Sequence, residues 1–144
     1  MMAIVRNVFA VVLGFGVGAG LNMALVVLGP SVIPPPLGVD VTDAQSLSAS
    51  MHLFEPRHFL FPFLAHALGT LAGSLTAFLV AASHKSAFAF VIGALFLAGG
   101  VAAALMIPAP LWFVLVDLLG AYVPMAWIGA RVGRRVEAGA AGKA

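Results

Sequence analysis

Four apolar stretches, residues 4–28, 59–82, 87–107 and 111–130, dominate this sequence and leave it one kind of fold. Each is roughly 20–25 residues long, and about 20 residues of helix cross a 30 Å hydrocarbon core at 1.5 Å per residue. Lipid offers an open backbone no hydrogen-bond partner, so stretches that span it must be helical. Composition points the same way, with 62% hydrophobic and 8% charged residues, against roughly 45–50% and about 25% in soluble domains. A soluble fold of 144 residues built this way would lack the polar side chains to cover its surface. The sequence therefore predicts an all-α protein, a four-transmembrane-helix bundle with residues 1–137 as one unit. Residues 138–144, rich in Ala and Gly, are expected to be a disordered cytoplasmic tail.

Arg6 precedes the first stretch as a basic residue precedes a secretory signal core. The run over 8–28 is longer than the usual core of about 7–15 residues, and no clear A-x-A site ends it. The expectation is an uncleaved first span.

The punctuation between spans is consistent with this division. Gly29-Pro30 is expected to end the first span, and Pro56 to open the second, where a missing N–H costs nothing. Ser83-His84-Lys85-Ser86 and Pro108-Ala109-Pro110 are turns so short that their flanking helices must run antiparallel. With the N-terminus inside, Arg6, Lys85, Arg131, Arg134, Arg135 and Lys143 are cytoplasmic, and of the seven basic residues only Arg57 is outside. That is a strong positive-inside bias. Trp112 and Trp127 fall near opposite ends of the fourth span, as interfacial aromatics do. The basic residues near the C-terminus thus read as a topology signal, and nucleic acid is not an expected partner.

The loop over 30–56 is then external. Pro34-Pro35-Pro36 is expected to be extended. Thr42-Asp43-Ala44-Gln45 fits the S/T-x-x-E/Q capping box, and Ala44, Leu47, Met51 and Phe54 follow on one helical face. Gln45, Ser46, Ser48, Ser50 and His52 occupy the other. The pattern predicts a short amphipathic external surface helix, lying on the membrane or capping the bundle.

Inside the spans, three polar side chains on three helices share one depth. Counted from the outer ends, Asn22 and His66 lie about 12 Å in and Asp117 about 10 Å, with Gly100 of the third span at the same level. Each polar residue also sits on a stripe of small residues. Gly14 and Gly18 accompany Asn22, Gly69 and Gly73 accompany His66, and Gly120 accompanies Asp117. Small residues let membrane helices approach, and polar side chains join them. The predicted interior therefore has His66 bonded to Asp117, with Asn22 nearby and the six glycines as packing sites. Such a cluster is either a structural clasp or an ion, proton or substrate site. A filled interior would favour the clasp, and a cavity open to either face would favour the site.

A second candidate lies in His52-Leu-Phe-Glu55-Pro-Arg-His58, where two imidazoles and a carboxylate offer metal ligands. The spacing differs from H-E-x-x-H, and Pro56 breaks the helix that would align them. The run Gly14-Phe-Gly16-Val-Gly18-Ala-Gly20 misses the G-x-G-x-x-G spacing and lies mid-span, so it reads as helix-contact surface. With no cysteine, thiolate metal sites and cysteine nucleophiles are excluded. No catalytic residue, cofactor or triad is legible.

The strings Val32-Ile-Pro-Pro-Pro-Leu-Gly-Val-Asp-Val-Thr-Asp43 and Met51-His-Leu-Phe-Glu-Pro-Arg-His58, with Pro108-Ala-Pro-Leu-Trp112 and Tyr122-Val-Pro-Met-Ala-Trp127, carry a resemblance. The chain resembles an uncharacterised family of small four-helix bacterial inner-membrane proteins. The resemblance implies a bacterial inner-membrane location and carries no activity. On the sequence, the leading function is a non-enzymatic accessory or structural component acting by helix packing. Its expected partners are the lipid bilayer and a homo-oligomer or larger membrane complex. The alternative is a small oligomeric transporter or channel with an ion or proton site at Asp117 and His66. A weaker reading is a membrane enzyme or metal-binding protein using His52, Glu55 and His58.

Overall fold

Long runs of Ala, Leu, Val and Phe without charge form helix wherever a turn does not interrupt them, and they do so here. A computed structural model describes residues 1–142. The elements are α1 (Met2–Val32), α2 (Ala44–Ser50), α3 (Leu60–Val80), α4 (Lys85–Met106), α5 (Leu111–Gly120) and α6 (Val123–Ala141), with 3-10 turns at Met51–Leu53 and Pro56–Phe59. Among the described residues there is no strand. Four helical segments are long and apolar enough to cross a membrane: Met2–Val32, Pro56–Val80, Lys85–Met106 and Leu111–Ala141.

Three boundaries differ from expectation, each for a physical reason. Helix α1 does not stop at Gly29-Pro30 but runs through Pro30 to Val32. Pro30 lies within the last turn, where its lost N–H bond and the crowding of the carbonyl four residues back disturb little that follows; the Ile33 N–H still reaches the Gly29 carbonyl at 2.8 Å, and bare Gly29 admits the Phe61 side chain against it. The fourth stretch is not one helix. It breaks at Ala121 and Tyr122, between α5 and α6, because Pro124 has no N–H for the Gly120 carbonyl. Third, residues 138–141 continue α6 rather than forming the expected disordered tail. Lys143, counted above among the cytoplasmic bases, lies outside the described residues with Ala144.

The external helix is present one residue late. Asp43, rather than Thr42, is the N-cap: its carboxylate accepts from Ser46 N at 2.9 Å and Gln45 N at 3.4 Å. Thr42 is drawn back to Asp40, donating from both its N–H and its hydroxyl to Oδ1 at 2.8 and 2.6 Å. Ahead of it, Gly38 at φ +82° occupies the third position of a turn closed by Val39 N to Pro36 O, a place that needs positive φ.

Helix α3 is central, packing on α1, α4 and α6. Against α1 the contact is backbone to backbone. A methyl at Gly14 would stand 2.7 Å from the Gly73 carbonyl oxygen, and one at Gly69 would stand 2.8 Å from that of Gly18. Beside this seam the core gathers Ala67, Ala77, Ile92, Phe96, Ala121 and Tyr122. At one end of the bundle, α1 closes the α3–α4 turn. The Arg6 Nε–H donates to the Val80 carbonyl at 2.7 Å, and Asn7 Oδ1 accepts from Ala82 N at 2.8 Å. These polar groups satisfy backbone that the helix end leaves without partners.

Candidate functional site

Two of the three predicted polar residues meet. His66 Nδ1 lies 2.9 Å from both carboxylate oxygens of Asp117, joining α3 to α5 across 51 residues of sequence. A third member, Tyr122, was not foreseen. Its hydroxyl donates to Asp117 Oδ2 at 2.8 Å and stands 3.0 Å from His66 Nδ1. Asp117 and Tyr122 are 5% and 1% exposed, so the carboxylate is satisfied by two donors inside the protein, as burial of a charge requires. The Tyr122 ring and hydroxyl pack on the backbone of Gly100, which leaves no room for a side chain there. Two signals for Tyr122 exist in the sequence. It is the sole tyrosine, set mid-span where its O–H must find a partner, and Pro124 two residues on marks a break.

Asn22 does not join the cluster. Its Cβ lies on the α1–α3 seam against Gly69, a turn along α3 from His66, and among the described residues its side chain makes no hydrogen bond. Gly14, Gly18, Gly69, Gly73 and Gly100 all occupy close contacts. Gly120 is different: a methyl there would meet Phe63 at an ordinary 3.4 Å. Gly129 is a packing site that the stripes did not reveal, set against Ser74 and the backbone of Leu71 and Leu75.

The candidate metal ligands do not converge. His52 Nδ1 turns to the Ala49 carbonyl at 3.1 Å. Glu55 pairs with Arg57 at 3.0 Å, and its backbone N–H donates to His58 Nδ1 at 2.9 Å. Pro56 starts a 3-10 turn in which Glu55 and His58 cap each other, so local hydrogen bonds rather than a shared centre orient the three side chains. Among the described residues, no group of three His, Cys, Asp or Glu side chains is placed to hold a metal ion.

Above the His66–Asp117 pair lies a cavity of about 360 Å³. Its roof is the segment that carries α2, through Pro35, Val41, Leu47, Met51 and Phe54. Its walls come from the ends of α1, α3 and α4 and from α5, and its floor is His66, Gly100 and Asp117. The predicted apolar face of the external helix is thus turned onto the bundle, where it lines a chamber. At the rim, aromatic rings fix the entry of α3, with Phe59 4.7 Å from Phe113 and 5.4 Å from Trp112 between centroids. Below the floor, Tyr122 fills the space, and Ser74 Oγ donates to the Ala89 carbonyl at 3.0 Å.

Fold and site together define a helical bundle with four helices apolar enough to cross a membrane and one ionisable cluster under an apolar chamber. No protein-family model, curated protein or solved structure matches the chain.

Proposed function

We propose that this chain is a multi-pass protein of a bacterial inner membrane, with both termini cytoplasmic, that binds a small and mostly apolar molecule within the outer half of its bundle. The observation that carries this reading is the chamber itself. It reaches Asp117 and His66 from the side of α2, where a purely structural clasp would be enclosed by packing. Its volume of about 360 Å³ falls within the roughly 300–1,000 Å³ of small-molecule pockets, which are likewise apolar with a few convergent polar groups. The grouping of Arg6, Lys85 and Arg134 about the α3–α4 turn supports the orientation, since basic residues stay on the cytoplasmic side. The tight Gly14–Gly73 and Gly18–Gly69 seam supports a rigid frame, in keeping with an accessory role by packing, in a homo-oligomer or a larger complex.

Binding of hexylbenzene to the protein in lipid nanodiscs, measured above empty nanodiscs, tests the proposal. Saturable binding that disappears when Ala103→Phe fills the chamber is expected. Uptake no greater than in empty discs, or uptake unchanged by Ala103→Phe, sinks it.

The transport reading has one observation in its favour: an ionisable pair reached from one side is what a carrier presents in one access state. Proton-coupled flux in reconstituted vesicles, abolished by Asp117→Asn, would establish it, and its absence leaves binding alone.

A further inference from the structure

The cluster leaves one polar atom unused. His66 Nδ1 has three near neighbours, both Asp117 oxygens at 2.9 Å and the Tyr122 oxygen at 3.0 Å. Tyr122 spends its own proton on Asp117 Oδ2, so all three present lone pairs to Nδ1. This network assigns the proton to Nδ1. In the neutral imidazole a proton fixed at Nδ1 leaves the other nitrogen, Nε2, as a hydrogen-bond acceptor. Among the described residues no group bonds Nε2, and no enclosed side-chain nitrogen or oxygen lacks a partner. Nε2 is therefore open, on a side chain that is 23% exposed and lines the chamber floor.

We propose that His66 Nε2 accepts a hydrogen bond from the hydroxyl of an amphiphilic alcohol or phenol whose apolar body fills the chamber. The inference rests on the pocket reading above and names the ligand class for it. Leu47, Met51, Phe54, Phe61 and Ile107 on the walls suit a hydrocarbon body, and the floor supplies a single open acceptor for one protic head. A carboxylate head is disfavoured, because it would bring a second acidic group beside Asp117.

The test compares para-hexylphenol with para-hexyltoluene, which has the same shape but no O–H, on the full chain in lipid nanodiscs against empty discs. The phenol is expected to bind roughly 3–10-fold tighter, the worth of one hydrogen bond. His66→Asn places an amide nitrogen near the position of Nδ1, keeping the donor to Asp117, and withdraws the acceptor from the position of Nε2 to the shorter amide oxygen. In that variant the advantage of the phenol should shrink. Nitrogen NMR of the unaltered protein reads the same bond directly: the His66 Nε2 resonance should move with para-hexylphenol and stay put with para-hexyltoluene. Equal affinity of the two probes for the unaltered protein, or an unmoved Nε2 resonance, overturns the inference while leaving the pocket intact. If neither probe binds, the pocket reading falls and takes this inference with it.

Discussion

Asp117 and Tyr122 are joined by a 2.8 Å hydrogen bond although they are five residues apart in one apolar stretch. On a continuous helix five residues carry the second side chain about 140° around the axis, so the two would face apart. The interruption at Ala121 and Tyr122 removes that obstacle. It brings the phenol beneath the carboxylate and beside His66, so the break in the fourth apolar segment is what assembles the cluster.

Tyr122→Phe tests that relationship with the least disturbance. The ring stays on Gly100, and only the donor to Asp117 Oδ2 is lost. The buried carboxylate then keeps His66 alone, and stability should fall by about 1–3 kcal/mol with helix content unchanged. Denaturant unfolding in detergent reads the difference. A variant as stable as the parent would show that the hydroxyl does not hold the cluster.

At Asp117 the two obvious substitutions should part company. Asparagine can still accept from His66 Nδ1 through its oxygen and donate to Tyr122 through its nitrogen, so Asp117→Asn should keep the fold. Leucine orphans both partners, and Asp117→Leu should cost about 2–4 kcal/mol for two unsatisfied polar groups. Equal stability of the two variants would contradict a hydrogen-bonded interior.

The glycine seam makes a sharper pair. A methyl at Gly14 would lie 2.7 Å from the Gly73 oxygen, whereas at Gly16 nothing stands within 4 Å. Gly14→Ala should destabilise by about 1–3 kcal/mol through overpacking. Gly16→Ala should be neutral or stabilising by up to about 1 kcal/mol, from helix propensity alone. Thermal unfolding of both in one detergent decides it, and comparable losses would refute the reciprocal contact.

Depth and small-residue stripes made the His66–Asp117 pair and the Gly14–Gly73 seam legible, because both follow from a helix's fixed rise and rotation. Those same rules misplaced Asn22. Its depth matches the pair, but depth says nothing of lateral position, and α1 seats it on Gly69 instead. Tyr122 was hidden by the assumption of a continuous fourth helix, on which it faces away from Asp117. The chamber could not be read at all. It depends on α2 folding back over the bundle, and an amphipathic pattern fits membrane surface and bundle cap equally. For His52, Glu55 and His58 the sequence showed that Pro56 breaks the helix that would align them, but not the local hydrogen bonds that orient each side chain.

Asp40 carries the pH dependence of the turn that leads into α2. The Thr42 hydroxyl and then the Thr42 N–H, both donating to its carboxylate, hold Asp40 below the ordinary value of 3.8. A carboxyl with a depressed folded value contributes stability that is fully present above the unfolded value and is lost as pH falls through the folded one. Carbon NMR of the Asp40 carboxyl should therefore give a midpoint below 3.8, rising towards it in Thr42→Val. A midpoint at or above 3.8 in the parent would show that Thr42 does not hold it.

Orientation is the broadest expectation, and it joins sequence to structure. Lys85 pairs with Glu137, Arg134 Nη1 donates to Ser86 Oγ at 3.0 Å, and Arg6 holds Val80, so bases distant in sequence gather at one end of the bundle. The opposite end carries Asp40, Asp43 and Glu55, with Arg57 paired to Glu55. Basic residues near span ends resist translocation, while acidic ones contribute little. The end with Arg6 and Lys85 should therefore be cytoplasmic, and α2 with its chamber should face outward. Reporter fusions at Lys85 and after Arg135 should score cytoplasmic, and one at Asp43 should score external. An external score after Arg135 would mean an odd number of crossings. The interrupted segment over α5 and α6 would then be the first to lose its assignment as a full span, because its helix is broken at Tyr122 and α6 carries Arg131, Arg134 and Arg135.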